Sequence, residues 1–153
     1  MTNWDARWMQ TAENVGQWSK DPRRKVGCII VDDDNNQLAG GYNGFARGIA
    51  DDDRLNDRDT KLKMVVHAEA NAVAAAARNG HSIKGATAYV THNPCSQCAC
   101  LMIQAGIKCV VFRKQEGYSA EWTKDFKLAL DLLAEANIIV VTVTIRYYPG
   151  LQR

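Results

Sequence analysis

The sequence feature that most constrains the fold is a pair of short segments, residues 67–69 (His-Ala-Glu) and 94–98 (Pro-Cys-Ser-Gln-Cys). The first opens an alanine-rich segment that ends at Gly80. The second starts with a proline and opens a segment that ends at Gly106, so each segment begins a predicted helix. Histidine and cysteine are ligands that zinc prefers in proteins. We therefore expect a fold in which the starts of these two helices lie side by side.

Hydrophobic spacing predicts the strands and helices around this pair. Tryptophans at helical intervals open the chain, and segments rich in β-branched residues follow at several places. Residues 43–58 contain glycines and aspartates without periodicity, which predicts a long surface loop. The other predicted elements are a helix over 4–18, a hairpin of strands 25–31 and 38–42, helix 67–79, strand 86–91, helix 95–104, strand 108–112, helix 123–136 and strand 138–145.

The order of these elements predicts the fold class. Helices connect the last three predicted strands, and right-handed crossovers of this kind make the strands parallel. The sequence therefore predicts an α/β protein, a three-layer α-β-α sandwich with helices on both faces of the sheet. Its length of 153 residues fits a single domain that spans residues 1–153.

The composition excludes several classes of protein. Hydrophobic residues make up 46% and charged residues 24% of the chain, and no apolar run approaches the roughly 20 residues of a membrane helix. Asp5 and Arg7 interrupt the apolar residues of the N-terminus, so it does not resemble a signal peptide. We expect a cytoplasmic protein without a membrane partner. The net charge of +2 and the scattered basic residues do not indicate a nucleic acid polymer as partner.

Three side chains of the two segments form a candidate metal site. Cys95 and Cys98 are three residues apart at a helix start, so they lie on one face, and His67 approaches from the neighbouring helix. The partial positive charge of a helix N-terminus favours the thiolate that a metal needs. Zinc with three protein ligands keeps a fourth position for water, whose pKa it lowers to about 7. Glu69 follows the histidine by two residues and is the candidate catalytic acid and base.

A closed structural zinc site is the alternative, with Cys100 or His81 as the fourth ligand. Cys100 is two residues beyond the second cysteine ligand and faces away from it on a helix. Cys28 and Cys109 stand in strand patterns, where a buried apolar role is expected. The odd number of cysteines, five, argues against a disulfide framework. His92 either lines the pocket or is a hydrogen-bonded loop residue.

Further segments carry a resemblance to a known family. They are residues 19–22 (Ser-Lys-Asp-Pro), 41–44 (Gly-Tyr-Asn-Gly), 67–72 (His-Ala-Glu-Ala-Asn-Ala) and 103–108 (Ile-Gln-Ala-Gly-Ile-Lys). The His-x-Glu and Pro-Cys-x-x-Cys segments match the signature of zinc-dependent nucleobase deaminases. Within that superfamily, residues 19–143 resemble the deoxycytidylate (dCMP) deaminase family. The resemblance implies a cytidine deaminase-like fold, with a five-stranded mixed sheet in the order 2-1-3-4-5 and strands 3 to 5 parallel.

The resemblance also implies an activity, the hydrolysis of dCMP to dUMP and ammonia with a catalytic zinc ion in each chain. This reaction supplies dUMP for thymidylate synthesis. By similarity, Asn43 would hydrogen-bond the deoxyribose 3'-hydroxyl, and the backbone near Ala68 would contact the pyrimidine. The implied 5'-phosphate ligands are Ser19, Lys20 and Tyr118, with Arg23, Arg24 or Lys25 as additional cations.

Assembly and regulation belong to the same resemblance. Many members of the family are homohexamers that dCTP activates with magnesium and that dTTP inhibits. The regulatory nucleotide site is built partly from the loop after the Gly-Tyr-Asn-Gly segment, which makes Asn43, Gly44, Arg47 and Gly48 its candidate residues. In this loop Ala46 stands where the family usually has proline. Four tryptophans and the alanine-rich helix offer apolar surface for a homo-oligomer.

Two other classes of function stay open. The first is deamination of free cytidine or cytosine, of a modified dCMP, or of adenosine in transfer RNA. The helix before the last strand favours the parallel arrangement that dCMP, transfer RNA and polynucleotide deaminases share, whereas the acidic loop around Asp51 disfavours a polynucleotide channel. The second is a non-catalytic zinc module that binds nucleotides or a protein. A structural metal has no use for a carboxylate such as Glu69 beside it.

Overall fold

Apolar side chains point to both faces of the central strands, because neighbours along a strand alternate in direction and helices cover each face. The computed structural model describes residues 3–143. The elements, in chain order, are α1 (Asn3–Gly16), β1 (Gly27–Val31), β2 (Gln37–Tyr42), β3 (Gly44–Phe45), a 3-10 turn (Asp53–Leu55), α2 (Arg58–Met64), β4 (Val65–Val66), α3 (Ala68–Asn79), β5 (Thr87–Val90), α4 (Ser96–Gln104), β6 (Cys109–Arg113), α5 (Ala120–Glu135) and β7 (Ile139–Val143).

Five strands form the main sheet, in the order β2-β1-β5-β6-β7. β1 is antiparallel to β2 and to β5, whereas β5, β6 and β7 are parallel to one another. Counted along the chain within this sheet, the order is 2-1-3-4-5, which confirms the predicted mixed sheet. The carboxyl ends of the parallel strands meet at one edge, where ligand sites of α/β proteins commonly lie. The loop that carries Cys95 leaves β5 at this edge.

Helices cover both faces of the sheet, as predicted. On one face Ile29 and Val31 of β1 pack against Met9 of α1. On the other face Cys28 and Ile30 join a larger core, so the predicted burial of Cys28 is confirmed. Residues of α3, α4 and α5 complete that core: Ala68, Ala72, Ala76, Ala99, Met102, Ala129 and Leu133.

Gly41 lets α3 lie directly on β2. A Cβ atom at this position would come within 2.5 Å of the carbonyl oxygen of Ala68 and of the amide nitrogen of Ala72. Such distances are shorter than van der Waals contact, so only a residue without a Cβ permits this approach. The close packing holds the start of α3, with His67 at its N-cap, against the sheet.

The structure differs from the sequence prediction mainly in residues 43–66. The predicted loop over 43–58 contains β3, which pairs with β4, and it ends where α2 begins. The prediction lacked α2, because its seven residues show no apolar period over so short a length. α5 begins at Ala120, earlier than predicted, where the hydroxyl of Ser119 accepts a hydrogen bond from the N–H of Trp122.

Every other predicted helix and strand is present, with bounds shifted by a few residues. Residues 144–145 of the predicted last strand, and the ends of the predicted domain 1–153, lie outside the described residues. Within 3–143, no helix has the length and apolar character that a membrane crossing requires.

Candidate active site

The starts of α3 and α4 lie side by side, as the two short segments predict. His67 is the N-cap of α3 and its side chain makes no capping hydrogen bond, whereas Cys95 is the N-cap of α4. Nδ1 of His67 lies 3.3 Å from Sγ of Cys95 and 3.5 Å from Sγ of Cys98. The three candidate ligand atoms all lie within 4.8 Å of one another. The structure therefore brings together the three residues that the spacing singles out.

The donor set and its spacing fit a zinc ion. Zinc binds cysteine sulfur at about 2.3 Å and histidine nitrogen at about 2.0 Å, so a tetrahedral ion separates its ligand atoms by roughly 3.5–3.8 Å. The observed nitrogen–sulfur distances of 3.3 and 3.5 Å are close to this range. Sulfur and imidazole donors also suit zinc better than magnesium or calcium.

The alternative fourth ligands of a closed site lie elsewhere. Cys100 is exposed on α4. His81 follows α3, and its Nδ1 is 2.8 Å from the carbonyl oxygen of Leu38. Among residues 3–143, the metal-ligating group has no fourth histidine, cysteine or carboxylate. A zinc site with three protein ligands is the form found in catalytic centres.

The surroundings of Cys95 favour its thiolate. Its Sγ accepts a hydrogen bond from the backbone N–H of Cys98 at 3.4 Å, in the first turn of α4. Hydrogen bonds from the Cys98 thiol and from His67 hold the pKa of Cys95 well below its ordinary value, although burial acts in the opposite direction. The contact with Cys95 raises the pKa of His67. The deprotonated sulfur is the form that binds a metal.

Glu69 lies in the first turn of α3 and is only 4% exposed. Burial raises the pKa of its carboxyl group, whereas its own backbone N–H and the nearby His67 lower it. The residue lines the same cavity as His67 and Cys95. The predicted acid and base is therefore a buried carboxyl group beside the candidate metal ligands.

A cavity of about 280 Å³ opens at these residues. Its walls come from the loop before β1, from α2, from the start of α3, from the loop after β5 and from the start of α5. Tyr118, Trp122 and Phe126 form an aromatic wall, in which the rings of Tyr118 and Trp122 lie 4.6 and 5.7 Å from that of Phe126. An apolar cavity with a few convergent polar groups is typical of a small-molecule site.

The cations that line this cavity are Arg23, Arg24, Arg58 and Lys61. The guanidinium of Arg24 lies 3.9 Å from the ring centre of Tyr118, a cation–π contact. Lys61 is only 7% exposed, and its ammonium is 3.0 Å from a carboxylate oxygen of Asp21. Asp21 also accepts the backbone N–H groups of Arg23 and Arg24. One buried ion pair thus joins α2 to the segment that carries two arginines, and the resulting wall suits an anionic group.

Asn43 lines the cavity and braces the loop before β1. Its Oδ1 accepts the N–H of Val26 at 2.8 Å, and its amide nitrogen donates to the carbonyl oxygen of Arg24 at 2.9 Å. A side-chain amide has two donor hydrogens and an oxygen with two lone pairs, so each group keeps a position for a ligand. The bracing role of Asn43 and the ligand role that the resemblance implies for it are therefore compatible.

Of the other four residues predicted to bind substrate, two line the cavity and two do not. Ala68 and Tyr118 line the cavity. Ser19 does not line it; this buried residue donates its hydroxyl to the carbonyl oxygen of Asn43 at 2.7 Å. Lys20 is also outside the cavity wall, and its exposed ammonium pairs with Asp51 at 2.9 Å.

The predicted regulatory residues other than Asn43 lie outside the cavity lining. Gly44 belongs to the two-residue strand β3. Arg47 and Gly48 are exposed in the segment after it, and Gly48 has a φ of 85°, which favours glycine. The structure thus separates this loop from the cavity that contains Glu69.

His92 combines the two roles that the sequence left open. It lines the cavity, and its Nδ1 is 3.1 Å from the hydroxyl oxygen of Thr91. Burial, together with the charges of Arg24 and Arg113, lowers the pKa of His92 to about 4. The imidazole is therefore neutral near pH 7 and can offer either a donor or an acceptor to a ligand.

Sequence reasoning missed the cavity residues of α2 and α5. Arg58 and Lys61 come from a short helix without an apolar period, and Trp122 and Phe126 look like core residues of an amphipathic helix. The sequence offered one signal for these residues. The family resemblance implied that Tyr118, which directly precedes the N-cap of α5, binds the 5'-phosphate. The remaining residues reach the cavity through contacts between distant parts of the chain, which local patterns do not contain.

A three-layer fold with this ligand set between two helix starts is that of the zinc-dependent nucleobase deaminases. The sequence profile of the cytidine and deoxycytidylate deaminase zinc-binding region matches residues 2–114. The chain therefore belongs to the cytidine and deoxycytidylate deaminase family, a zinc-binding family, as its motifs predict.

Known proteins agree with this assignment. An uncharacterized deaminase of Aliivibrio fischeri is 35% identical over 141 residues, which cover 92% of this chain and 93% of that protein. Human deoxycytidylate deaminase is 39% identical over 124 residues, covering 77% of this chain and 68% of that protein. The crystal structure of the dCMP deaminase of cyanophage S-TIM5 with dCMP and dUMP has a TM-score of 0.77 and 30% identity, covering 94% and 99% of the two chains. The predicted deaminase-like fold is confirmed.

Proposed function

We propose that this chain catalyses the hydrolytic deamination of dCMP to dUMP and ammonia. The observation that carries the proposal is one cavity lined both by the buried Glu69 next to the His67–Cys95–Cys98 group and by several cations. The first set of residues suits attack of water on a cytosine ring, and the second suits a monophosphate. The similarity to deaminases whose names specify dCMP supports the same substrate.

The proposed mechanism assigns the proton transfers to Glu69. Zinc bound by His67, Cys95 and Cys98 would act as a Lewis acid that lowers the pKa of water at its open position. Glu69 accepts a proton from the attacking water and delivers it to ring nitrogen N3. Once the C4–O bond has formed, the Glu69 carboxylate takes the remaining proton from the oxygen on C4 and passes it to the amino group; the C4–N bond breaks, ammonia leaves and a C4=O bond remains.

Substrate recognition is proposed to use the other cavity residues. The backbone at Ala68 contacts the pyrimidine, and Asn43 hydrogen-bonds the 3'-hydroxyl with the positions that its backbone contacts leave available. Tyr118 and the neighbouring Arg24 contact the 5'-phosphate. Ser19 supports Asn43 through its hydrogen bond. Lys20 lies outside the cavity lining, and a phosphate contact by this residue would require its ammonium to leave Asp51.

The finer biological features are proposals that rest on the family resemblance. They comprise a cytoplasmic homohexamer, activation by dCTP with magnesium, inhibition by dTTP, and no nucleic acid polymer or membrane as partner. The exposed Arg47 and the left-handed Gly48 support a loop that could receive a regulatory nucleotide. The 65% exposure of Trp18 supports an oligomer, because a large apolar side chain gains from being covered. Sedimentation tests the assembly, and dCMP turnover with and without dCTP plus magnesium or dTTP tests the regulation.

A substrate panel tests the activity. Ammonia release should be compared for dCMP, dCTP, deoxycytidine, 5-methyl-dCMP and a cytosine-containing single strand at equal concentrations. We expect dCMP to have the highest kcat/KM, because deoxycytidine has no phosphate for the cations that line the cavity and the similar proteins are named for dCMP rather than dCTP. Faster turnover of deoxycytidine or of the single strand would contradict the proposed substrate and favour another deaminase of the superfamily.

Glu69→Gln tests whether the zinc group is catalytic or only structural. The amide keeps the shape of the side chain but cannot carry the protons, so kcat should fall by about 10²- to 10⁴-fold. Zinc content and melting temperature should stay near those of the wild type. Equal activity in the variant would exclude the proposed proton transfers and favour a structural zinc module.

A further inference from the structure

Asp125 of α5 contacts the start of α4 next to the candidate metal ligands. One of its carboxylate oxygens accepts the backbone N–H of Ser96 at 2.9 Å, and the other accepts the Ser96 hydroxyl at 2.6 Å. Ser96 directly follows Cys95 and precedes Cys98 by two residues. The carboxylate therefore binds the short segment that carries both candidate sulfur ligands.

One of these two contacts caps the first turn of α4. The first N–H groups of a helix have no partner within the helix, and side-chain oxygens commonly satisfy them. Here Sγ of Cys95 accepts the N–H of Cys98, whereas the N–H of Ser96 is satisfied from another helix. Hydrogen bonds to a carboxylate are stronger than those between neutral groups. They fix the peptide unit between Cys95 and Ser96, and with it the direction of the Cys95 side chain.

The helix α5, which carries Asp125, is packed into the core and capped at its N-terminus. Its residues Ala129 and Leu133 are fully buried in the main core, and Ser119 caps its N-terminus. Asp125 itself lies outside the metal-ligating group. Both of its oxygens are used by Ser96, so its role toward a metal would be indirect.

We propose that Asp125 is a positioning residue of the zinc centre, which holds the first turn of α4 so that both cysteine sulfurs face one metal ion. The inference rests on the proposed zinc centre and adds a residue that neither short motif contains. Groups that orient metal ligands typically change metal affinity by about 10- to 100-fold. We expect a loss of this size when the carboxylate is removed.

The test measures zinc affinity by competition with a chromogenic chelator, separately from turnover. Asp125→Ala should weaken zinc binding about 10- to 100-fold. Asp131→Ala is the matched control, because Asp131 is a carboxylate on the same helix that pairs with Lys127 on the surface. Its zinc affinity should stay near that of the wild type. Cobalt in place of zinc gives a second readout, since its visible absorption bands report the ligand geometry and should change only in Asp125→Ala.

Two further variants keep the test decisive if Asp125→Ala folds poorly. Asp125→Asn preserves the shape and should bind zinc more weakly than the wild type, because a neutral amide accepts less strongly. Ser96→Ala removes one of the two contacts and should have a smaller effect. Combined with Asp125→Ala, it should add no further loss, because the serine hydroxyl has already lost its acceptor.

Several results would overturn the inference. Zinc affinity and cobalt spectra equal to those of the wild type in Asp125→Ala or Asp125→Asn would exclude a positioning role. A loss of affinity matched by an equal loss of stability in the zinc-stripped proteins would assign Asp125 a structural role instead. If the wild type itself bound no stoichiometric zinc, the proposed function would fail, which the competition experiment distinguishes from failure of this inference.

Discussion

The metal-ligand group (His67, Cys95 and Cys98) and the cationic wall (Arg23, Arg24, Arg58 and Lys61) meet at one cavity but are built differently. His67, Cys95 and Cys98 come from two helix starts, and the two cysteines are only three residues apart. The wall depends on one buried contact, Asp21 with Lys61, between residues that are 40 positions apart in the chain. Local helix geometry thus places each candidate ligand at a helix start, and packing of α3 beside α4 brings His67 to the cysteines 28 or more residues away. A long-range ion pair, in contrast, holds the cationic residues. Substitutions in the two regions should therefore fail in different ways.

The largest effect is expected in the metal-ligand group. Cys98→Ser should abolish stoichiometric zinc binding and lower turnover by more than about 10²-fold, since even groups outside the ligand set change metal affinity by up to that factor. Cys100→Ser is the matched control, because Cys100 is exposed on the same helix. Metal analysis and dCMP turnover measure both outcomes. Zinc loss in the control variant would instead indicate a closed site with a fourth cysteine.

Lys61→Met tests the ion pair that supports the wall. Removing one partner of a buried pair leaves an uncompensated charge and typically costs about 3–5 kcal/mol. Urea denaturation should show this loss in the free energy of unfolding, whereas the exposed neighbour Lys63→Met should change it little. Zinc affinity of the folded Lys61→Met protein should be nearly unchanged. Equal stability of the two variants would contradict the importance of the pair.

The same pair predicts a pH dependence. Burial raises the pKa of Asp21, but hydrogen bonds from the N–H of Arg23, from Lys61 and from the N–H of Arg24 outweigh it, so the pKa lies below its ordinary value of 3.8. The folded state therefore binds this proton less tightly than the unfolded chain. The resulting stability is present above pH 3.8 and is lost as the pH falls through the lower, folded-state pKa. The difference in unfolding free energy between wild type and Asp21→Asn should shrink as the pH falls below 3.8; a constant difference would argue against it.

A smaller effect is expected at Arg24, which lines the cavity and stacks on Tyr118. Arg24→Gln should raise the KM for dCMP about 10-fold, or about 1.4 kcal/mol, with little change in kcat, because it removes the proposed contact to the phosphate. The KM for deoxycytidine should not change. Lys25→Gln is the control, since Lys25 is adjacent in sequence but does not line the cavity. Equal effects on both substrates would assign Arg24 a structural role.

The smallest effect is expected at Arg58, an exposed residue of α2 at the cavity. Arg58→Gln should raise the KM for dCMP only about twofold, because water and salt screen an exposed charge. The difference should vanish in high salt. Arg54→Gln serves as control, since Arg54 pairs with Asp52 outside the cavity lining. A larger effect that persists in high salt would show that Arg58 is buried against the phosphate when substrate binds.

Prediction from the sequence placed residues correctly where its signals lie close together in the chain. The positions of His67, Glu69, Cys95 and Cys98 relative to two helix starts follow from helix periodicity and from the signals that begin and end helices. The mixed sheet likewise follows from the order of the strands and the handedness of crossovers.

Prediction was incomplete where residues act through distant partners. Ser19 and Lys20 precede the segment that carries Arg23 and Arg24. Ser19 nevertheless hydrogen-bonds Asn43, and Lys20 pairs with Asp51 at the surface. Lys61 lies in a segment for which the sequence predicted no element, and only tertiary contacts bury it against Asp21. The capping of Ser96 by Asp125 has no local signal, because its two partners are 29 residues apart.

The sequence by itself determined the helix starts and the placement of the three candidate metal ligands at them, since these depend on propensities and spacings within a few turns of chain. The parallel strands followed from the order of the elements, and the full strand order from the family resemblance. Only the tertiary structure decided which cations and which aromatic rings line the cavity and which carboxylate binds the start of α4. Those choices depend on the burial and pairing of side chains from separate segments. The free energy of such contacts exists only once the helices have packed on the sheet.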